Sequence, residues 1–312
     1  MNPMTSGFDP LAFQIDDPRM LELIGPHSQL ETLCSGAIWS EGPLWIAEED
    51  CVIWSDIPNN RMLRWSSAQG MTVFRAPANF TNGHYRDLQG RLVSCSHGGR
   101  AIERTEADGT ITLLVQRYQG KRFNSPNDLV VKSDGTIWFS DPPYGIASNY
   151  EGYMAESEMQ KNCVFRFDPA TGELDIVSDL IEEPNGLAFS PDESQLYVSD
   201  TSAVSHADGG GNHHIMVFDV LEGKELGNGR LFATISPGLA DGFRIDVNGW
   251  IYTSSEDSIQ VYHPDGQRLG KILVPEKVAN CTFGGAARNE LYIAASTSLY
   301  RIRLNTRGLQ QP

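Results

Sequence analysis

The sequence predicts an all-β fold, specifically a six-bladed β-propeller formed by one domain. A unit made of a polar loop, a short strand, a turn and a second strand recurs six times along the 312-residue chain. The chain also contains 30 Gly and 17 Pro spread along its length, which is typical of proteins with many turns and short strands. Repeats of roughly 40–50 residues with three or four strands each are typical of propeller blades.

The unit is clearest in residues 124–141. A polar loop, Asn-Ser-Pro-Asn-Asp, leads into the apolar run 129–131, and an Asp-Gly turn at 134–135 leads into a strand rich in β-branched and aromatic residues. Two such runs joined at Asp-Gly are a strong hairpin signal. The polar loop places Asn127 and Asp128 where a strand begins, so that a side chain can be held firmly without being buried.

The other units follow the same order. The residues that open the six units are Glu41, Asn82, Asn127, Asn185, Asp241 and Asn280. The intervals between them are 41, 45, 58, 56 and 39 residues. The two long intervals contain segments rich in Gly, Ser and acidic residues, at 144–160 and 202–212, which we expect to form loops between strands.

The ends of the chain complete the predicted architecture. Residues 1–28 contain four prolines and predict an irregular N-terminal arm with one helical turn near 18–23. The propeller is expected to span 29–306, followed by a tail at 307–312. Residues 30–34 read as a strand without a hairpin mate, and we expect them to pair beside 300–303. This pairing would close the ring and leave no open sheet edge.

Composition narrows the functional classes. The formal net charge of −16 argues against binding to nucleic acid or to anionic membranes. No apolar run approaches the ~20 residues that span a bilayer. The five cysteines form no Cys-x-x-Cys pair and predict free buried thiols in a reducing compartment. Together with the lack of an N-terminal signal pattern, this predicts a cytoplasmic protein, as a monomer or small homo-oligomer.

The opening residues of four units predict a metal site. In a propeller the first strand of each blade lines the central axis, so these side chains should converge. The four are Glu41, Asn127, Asn185 and Asp241. Their oxygen atoms suit a hard cation such as Ca²⁺ better than Zn²⁺. Three of them precede a glycine, which allows close backbone approach. The alternative is that Asn and Asp merely start turns at these positions.

Four separated motifs carry a resemblance to a known family. They are Ser-Glu-Gly-Pro at 40–43, Asn-Ser-Pro-Asn-Asp at 124–128, Glu-Pro-Asn-Gly-Leu-Ala-Phe-Ser at 183–190 and Ala-Asp-Gly-Phe-Arg-Ile-Asp at 240–246. The chain resembles the senescence-marker-protein/gluconolactonase family, which includes regucalcin-like lactonases and related Ca²⁺-dependent hydrolases. The resemblance covers roughly residues 30–305. It implies a six-bladed propeller with one divalent metal ion in the axial channel, Ca²⁺ first, with Zn²⁺, Mg²⁺ or Mn²⁺ as alternatives. The implied ligands are Glu41, Asn127, Asn185 and Asp241.

The resemblance also implies a reaction, the opening of a sugar lactone such as gluconolactone. A bound cation would polarise the lactone carbonyl and stabilise the oxyanion formed when water attacks. Asp241 is the candidate general base, acting on water acidified by the same metal. The alternatives are phosphotriester hydrolysis on this metal site and a non-catalytic scaffold with a structural metal. The chain contains no Gly-x-Ser-x-Gly, His-Glu-x-x-His or phosphate-loop motif.

Substrate contacts are predicted near the same loops. Asn124 and Asn127 are candidates to orient substrate hydroxyls, and His97 and Tyr144 lie in loops near the channel. For His97 and Tyr144 a surface or supporting role is the alternative. The chain departs from the animal regucalcin-like pattern, in which an Arg precedes the Asn-Asp pair by two residues; Ser125 stands there instead.

Overall fold

Six antiparallel sheets form the blades of a β-propeller in the computed structural model, which describes residues 10–309. The fold prediction is therefore confirmed. From the innermost strand outward, blade 1 contains Ser40–Ile46, Cys51–Asp56, Arg61–Ser66 and Gly70–Arg75; blade 2 Thr81–Arg86, Leu92–Ser96, Ala101–Thr105 and Ile111–Val115; blade 3 Leu129–Val131, Ile137–Asp141, Cys163–Phe167 and Leu174–Ser178. Blade 4 contains Pro184–Phe189, Gln195–Asp200, His214–Leu221 and Glu225–Thr234; blade 5 Phe243–Ile245, Ile251–Thr253, Ser258–Tyr262 and Arg268–Leu273; blade 6 Val278–Gly284, Glu290–Ala295, Ser298–Arg303 and Glu31–Ser35.

Helical structure is confined to short turns. Among the described residues, the single α-helical turn is Tyr144–Ala147, and the 3₁₀ turns are Pro10–Ala12, Pro18–Leu23, Ala47–Glu49 and Ser202–Val204. A separate two-stranded ribbon joins Arg117–Tyr118 to Lys121–Arg122. Within residues 10–309, no helix is long and apolar enough to cross a membrane.

The ring closes by pairing the start of the propeller with its end. Glu31–Ser35 runs antiparallel to Ser298–Arg303, with Glu31 opposite Arg301 and Ser35 opposite Ser298. The predicted closing strand is therefore confirmed. Blade 6 consequently combines an N-terminal strand with three C-terminal ones, so that neither end of the ring presents an unpaired edge.

The N-terminal segment is more ordered than the sequence predicts. The expected helical turn is present as Pro18–Leu23, capped by the Asp17 side chain. In addition, Phe13–Ile15 adds a fifth strand to the outer edge of blade 5, next to Arg268–Leu273. Three residues are too few for an alternating pattern to be recognised. Residues 1–9 of the predicted arm lie outside the described part of the chain, and the domain boundaries remain a prediction.

Packing between blades forms the core. The middle strands are covered on both faces, and the side chains of Trp54, Trp138, Tyr252 and Tyr292 are almost completely buried. Between blades 2 and 3, Phe123, Phe139 and Phe165 pack with ring centroids 5.0–5.3 Å apart. The five cysteines are all free thiols, and four of them are buried.

Glycines on the inner strands let neighbouring blades approach at the axis. The backbone N–H of Gly83 donates to the carbonyl of Asn127 at 2.8 Å, and that of Gly186 donates to the carbonyl of Asp241 at 2.9 Å. A Cβ atom at Gly186 would lie 2.5 Å from the same Asp241 oxygen, which no real side chain tolerates. These contacts bring the opening residues of adjacent inner strands to one end of the axial channel. We call this end the upper mouth.

Candidate active site

The opening residues of the six units converge at the upper mouth. A cavity of about 410 Å³ is lined by five of them: Glu41, Asn82, Asn127, Asn185 and Asp241. The sixth, Asn280, donates from its side-chain amide to Oε2 of Glu41 at 3.1 Å. All four predicted metal ligands are therefore brought together. Asn82 and Asn280 join them, although the sequence assigned these two only a matching position.

Two carboxylates face this cavity, Glu41 from the inner strand of blade 1 and Asp241 from the loop before the inner strand of blade 5. Glu41 is almost fully buried and accepts a hydrogen bond from the Gly42 backbone N–H at 2.7 Å. Burial raises the pKa of Glu41 well above its usual range, and the Asp241 carboxylate raises it further. Loss of solvation also raises the pKa of Asp241 to about 6, although Lys277 and a hydrogen bond from Asn185 oppose the change. Negative charge is thus concentrated where little water can solvate it.

The two amides are held so that their oxygens remain available. Nδ2 of Asn185 donates to Oδ1 of Asp241 at 2.7 Å and to the Thr201 hydroxyl at 3.2 Å. The Asn127 backbone is fixed by hydrogen bonds to Ser140 and from Gly83. Among the described residues, nothing in the protein hydrogen-bonds to the Asn127 side chain, which is only 4% exposed.

This donor set fits a hard divalent cation. Two buried carboxylates and two amide carbonyls supply oxygen ligands of the kind that Ca²⁺ prefers. Within residues 10–309, no three His, Cys, Asp or Glu side chains cluster as a metal would require. The amide oxygens of Asn127 and Asn185 would therefore have to complete the coordination. Lys277, the one cationic side chain among the described cavity-lining residues, lies over the Trp39 ring at 5.7 Å.

A repeated Ser-Asp pair holds, by hydrogen bonds, the loops that lead into three inner strands. It ends the second strand of blades 1, 3 and 4, as Ser55-Asp56, Ser140-Asp141 and Ser199-Asp200. Each Asp accepts from backbone N–H groups of the loop before the inner strand of its own blade, such as Ile38, Asn124 and Glu183. The Ser hydroxyls bond to backbone groups at or just before the start of inner strands. This repeat is visible in the sequence, and it could have been used to locate the loops next to the candidate ligands.

Asn124 does not line the cavity. Its Nδ2 donates to the carbonyls of Asp141 and Lys161 and to the Asn162 side chain, and its Oδ1 accepts from the Ser157 hydroxyl. The amide is thus engaged within the protein, which disfavours the predicted contact with substrate hydroxyls. The difference arises because the partners at 157–162 come from the insertion, which the local sequence around Asn124 does not reveal.

The other two predicted substrate contacts differ in their position relative to the cavity. Tyr144 lines the cavity, and its hydroxyl is 2.5 Å from that of Thr201. His97 is 1% exposed and is not part of the lining; its Nδ1 is 2.9 Å from the carbonyl oxygen of Glu151. Burial lowers the pKa of His97 to about 4, so the ring is neutral near pH 7. His97 therefore supports the insertion, and Glu151 of that insertion lines the cavity.

A buried ion pair below the cavity has no signal in the local sequence. Oδ2 of Asp128 lies 3.6 Å from Nη1 of Arg244, and both side chains are more than nine-tenths buried. Asp128 directly follows Asn127, but its partner comes from blade 5. Only the fold brings these residues together, and the Asp128 charge contributes to raising the pKa values of Glu41 and Asp241.

The fold and the site together define the class of protein: a six-bladed β-propeller with an acidic cavity, rich in oxygen ligands, on its axis. A family model described as the SMP-30/gluconolactonase/LRE-like region matches residues 39–297. The chain therefore belongs to this family, and the resemblance seen in its motifs is confirmed.

Individual relatives match over most of the chain. A gluconolactonase from Zymomonas mobilis is 33% identical over 316 residues, which cover 93% of this chain and 85% of that protein. The solved structure of a gluconolactonase from Xanthomonas campestris is 41% identical, covers 94% of each chain and has a TM-score of 0.86. The structure of regucalcin from Agrobacterium tumefaciens, described as a calcium-binding protein, is 18% identical with a TM-score of 0.72; it covers 90% of this chain and 95% of that one, and it shares the fold.

Proposed function

We propose that this protein is a gluconolactonase-type hydrolase that opens a sugar lactone with the help of a divalent cation, Ca²⁺ first, at the upper mouth. The observation that carries the proposal is the convergence of Glu41 and Asp241 with the amides of Asn127 and Asn185 in one cavity. The gluconolactonases that match the chain nearly end to end support the lactone as the substrate class.

The four side chains would hold the cation by their oxygen atoms. Bound there, a divalent cation supplies Lewis acidity, which polarises a carbonyl and makes a nearby water more acidic. The cavity of about 410 Å³ is large enough for a single sugar ring. Asn82 and Tyr144 line the same cavity and are placed to orient a hydroxylated ring.

Asp241 is the proposed general base. Its Oδ1 is engaged by Asn185, which fixes the carboxylate and leaves Oδ2 to accept a proton from the attacking water. The water oxygen forms a bond to the lactone carbonyl carbon, and the ring C–O bond then breaks. The proton held by Asp241 passes to the departing alkoxide, so that the product is a hydroxy acid and the carboxylate is restored.

The test compares metal-free and metal-loaded protein on glucono-δ-lactone. The chelated protein is expected to lose turnover and to regain it on addition of Ca²⁺, and binding of Ca²⁺ should be seen directly by calorimetry. Equal rates with and without metal would show that the cation has no role in the reaction. Absence of lactone hydrolysis in a protein that binds Ca²⁺ would instead favour the structural-metal alternative.

A phosphotriester serves as the matched competing substrate. Measured beside glucono-δ-lactone under the same metal conditions, it distinguishes the two hydrolytic reactions that this site could support. We expect the lactone to have the higher kcat/KM. We also propose a cytoplasmic location, supported by the five free thiols, and this is tested by cell fractionation.

A further inference from the structure

A second cavity, of about 510 Å³, opens at the opposite end of the channel, the lower mouth. The inner strands that begin at the upper cavity end here: Val131 belongs to the strand that follows Asn127, and Phe189 to the strand that contains Asn185. The wall is largely apolar, with Tyr85, Val131, Phe189 and Phe283 among its side chains. The proposed reaction uses none of these residues.

One polar side chain in this wall has hydrogen-bonding capacity that the protein does not use. Arg244 lines the cavity with its side chain 8% exposed. Its Nη1 donates to the Phe243 carbonyl at 2.8 Å and faces Asp128. In the described part of the chain, Nε and Nη2 have no partner. A buried donor left unpaired costs about 1–3 kcal/mol, so this edge of the guanidinium calls for an acceptor from outside the described residues.

The geometry of the free edge indicates what the acceptor is. The N–H groups of Nε and Nη2 point the same way from one side of the planar guanidinium, which is the arrangement that a carboxylate accepts with two parallel hydrogen bonds. The hydroxyl of Tyr85, in the same wall, likewise has no partner in the described residues. Burial raises the pKa of the Tyr85 phenol and the charge of Arg244 partly offsets this rise, so the two groups lie within electrostatic range.

Among the described residues of this wall, the one acidic side chain, Glu193, does not repel an anion strongly. Both carboxylate oxygens of Glu193 are engaged, one by the Ser133 backbone N–H at 2.7 Å and the other by the Ser133 hydroxyl at 2.5 Å. Lys132 lies 3.2 Å from the same carboxylate and offsets its charge. Arg244 therefore supplies the polar group that remains open to a ligand.

We propose that the lower mouth is a second binding site, which takes a small organic acid with a compact aryl or branched-alkyl body. The carboxylate bonds to the Nε/Nη2 edge of Arg244, and the apolar body packs against Val131 and Phe189. The cavity volume is in the ~300–1,000 Å³ range typical of small-molecule sites. The Asp128–Arg244 pair lies between this site and the upper cavity. The proposal therefore does not depend on the lactone reaction.

The test uses phenylacetate and its neutral isostere phenylacetamide as probes of the full-length, Ca²⁺-supplied protein in calorimetry. Saturable binding of phenylacetate at one site is expected, with the amide at least roughly tenfold weaker because it cannot form two charge-assisted hydrogen bonds. Equal affinity for acid and amide would overturn the proposal. So would absence of phenylacetate binding, since water alone would then satisfy Arg244.

Variants locate the site. Arg244→Lys keeps the charge and loses the forked geometry, so phenylacetate should bind roughly tenfold more weakly. If this variant does not fold, Leu88→Glu tests the same site, because Leu88 is 44% exposed in the cavity wall and a new carboxylate there should repel the probe. Leu180→Glu, 79% exposed and in neither cavity, is the matched control and should bind normally.

A last variant separates the two mouths. Asp241→Asn alters the upper cavity and should leave phenylacetate binding unchanged. Loss of phenylacetate binding in Asp241→Asn, with normal binding in Leu88→Glu, would place the probe at the upper mouth and contradict the proposal. Lactone hydrolysis in Leu88→Glu should equal that of the unmodified protein, because Leu88 takes no part in the upper cavity.

Discussion

The two mouths of the axial channel are formed by the same inner strands and differ in what those strands present. At the upper mouth the strands begin with carboxylates and amides, such as Glu41 and Asn185. At the lower mouth they end in apolar side chains such as Val131, Phe189 and Phe283. The upper mouth collects carboxylates that lose their solvation when the protein folds, and this burial raises the pKa values of Glu41 and Asp241. The strand ends at the lower mouth supply the packing that keeps those groups in place.

This comparison predicts a division of effects between the two ends. Substitutions at the upper mouth should change turnover far more than stability, because the charges there are held at an energetic cost. Substitutions of apolar residues at the lower mouth should do the reverse.

Asp241→Asn should show the largest loss of activity. The amide keeps an oxygen that can approach a cation but cannot accept a proton, so kcat on glucono-δ-lactone should fall by about 10²–10⁴-fold. Thermal unfolding of the metal-free protein should move little, because a poorly solvated charge has been removed. Asp208→Asn is the matched control, since its side chain is 82% exposed and lies outside the cavity lining. A variant that retains more than about a tenth of the activity would contradict the assignment of Asp241 as the base.

Phe283→Ala tests the other side of the comparison. The Phe283 ring is 9% exposed and packs edge-on against Tyr252 with centroids 5.1 Å apart. Its removal should lower the free energy of unfolding by about 3–5 kcal/mol in urea titrations. The kcat of the folded variant should stay within about twofold of the unmodified value. Phe74→Ala, at a 37% exposed site, should change stability by no more than about 0.5 kcal/mol. A large fall in kcat at Phe283 would mean that the two mouths are not independent.

Gly186→Ala probes the contact that joins blades 4 and 5 next to the site. The added Cβ would lie 2.5 Å from the Asp241 carbonyl and 2.9 Å from the Gly242 Cα, so the backbone must move. A loss of stability of about 1–3 kcal/mol is expected from this overpacking, together with weaker Ca²⁺ binding as Asp241 shifts. Gly210→Ala is the control, since the nearest atom is a flexible Asp208 oxygen at 3.1 Å. Unfolding and calorimetric titrations measure both effects. Unchanged Ca²⁺ affinity in Gly186→Ala would argue against Asp241 as a ligand.

Much of the fold was predictable because it is periodic. The recurring hairpin unit sets the number of blades, and the unpaired strand at 30–34 predicts the closure that Glu31–Ser35 makes. The strand Phe13–Ile15 was missed because three residues carry no usable alternation. Its pairing with blade 5 depends on where the rest of the chain places that edge.

The candidate site was predictable only where repeats pointed to it. Matched positions identified Glu41, Asn127, Asn185 and Asp241, because in a propeller equivalent positions face the same axis. Matched positions could not predict the role of Arg244, because it pairs with Asp128, which lies 116 positions away in the sequence. They also could not show that the Asn124 amide is engaged within the protein, because the direction of a loop side chain is decided by partners distant in the sequence.

Asp141, a buried carboxylate outside the lining of the upper cavity, should make stability depend on pH without taking part in the reaction. Asp141 is completely buried and accepts a hydrogen bond from the Asn124 N–H at 2.8 Å, while its Oδ1 has no partner within the described residues. Burial raises the pKa of Asp141 from 3.8 to about 7. The folded protein therefore holds this proton more tightly than the unfolded chain does. Below about pH 4 both states are protonated and there is no penalty, whereas above about pH 7 the penalty is complete.

Asp141→Asn should consequently flatten the pH dependence of stability. Between about pH 5 and pH 7 the unmodified protein is expected to lose about 2 kcal/mol that the variant does not lose, since each pKa unit corresponds to about 1.4 kcal/mol. Asp200 ends the equivalent strand of blade 4 and is the comparison, because it accepts four hydrogen bonds, from Glu182, Glu183, Ser202 and Asn212. Asp200→Asn should destabilise the protein at every pH, since an amide nitrogen cannot accept those bonds. Urea titrations across this pH range measure both variants, and identical pH slopes for Asp141→Asn and the unmodified protein would show that Asp141 is ionised in the folded state.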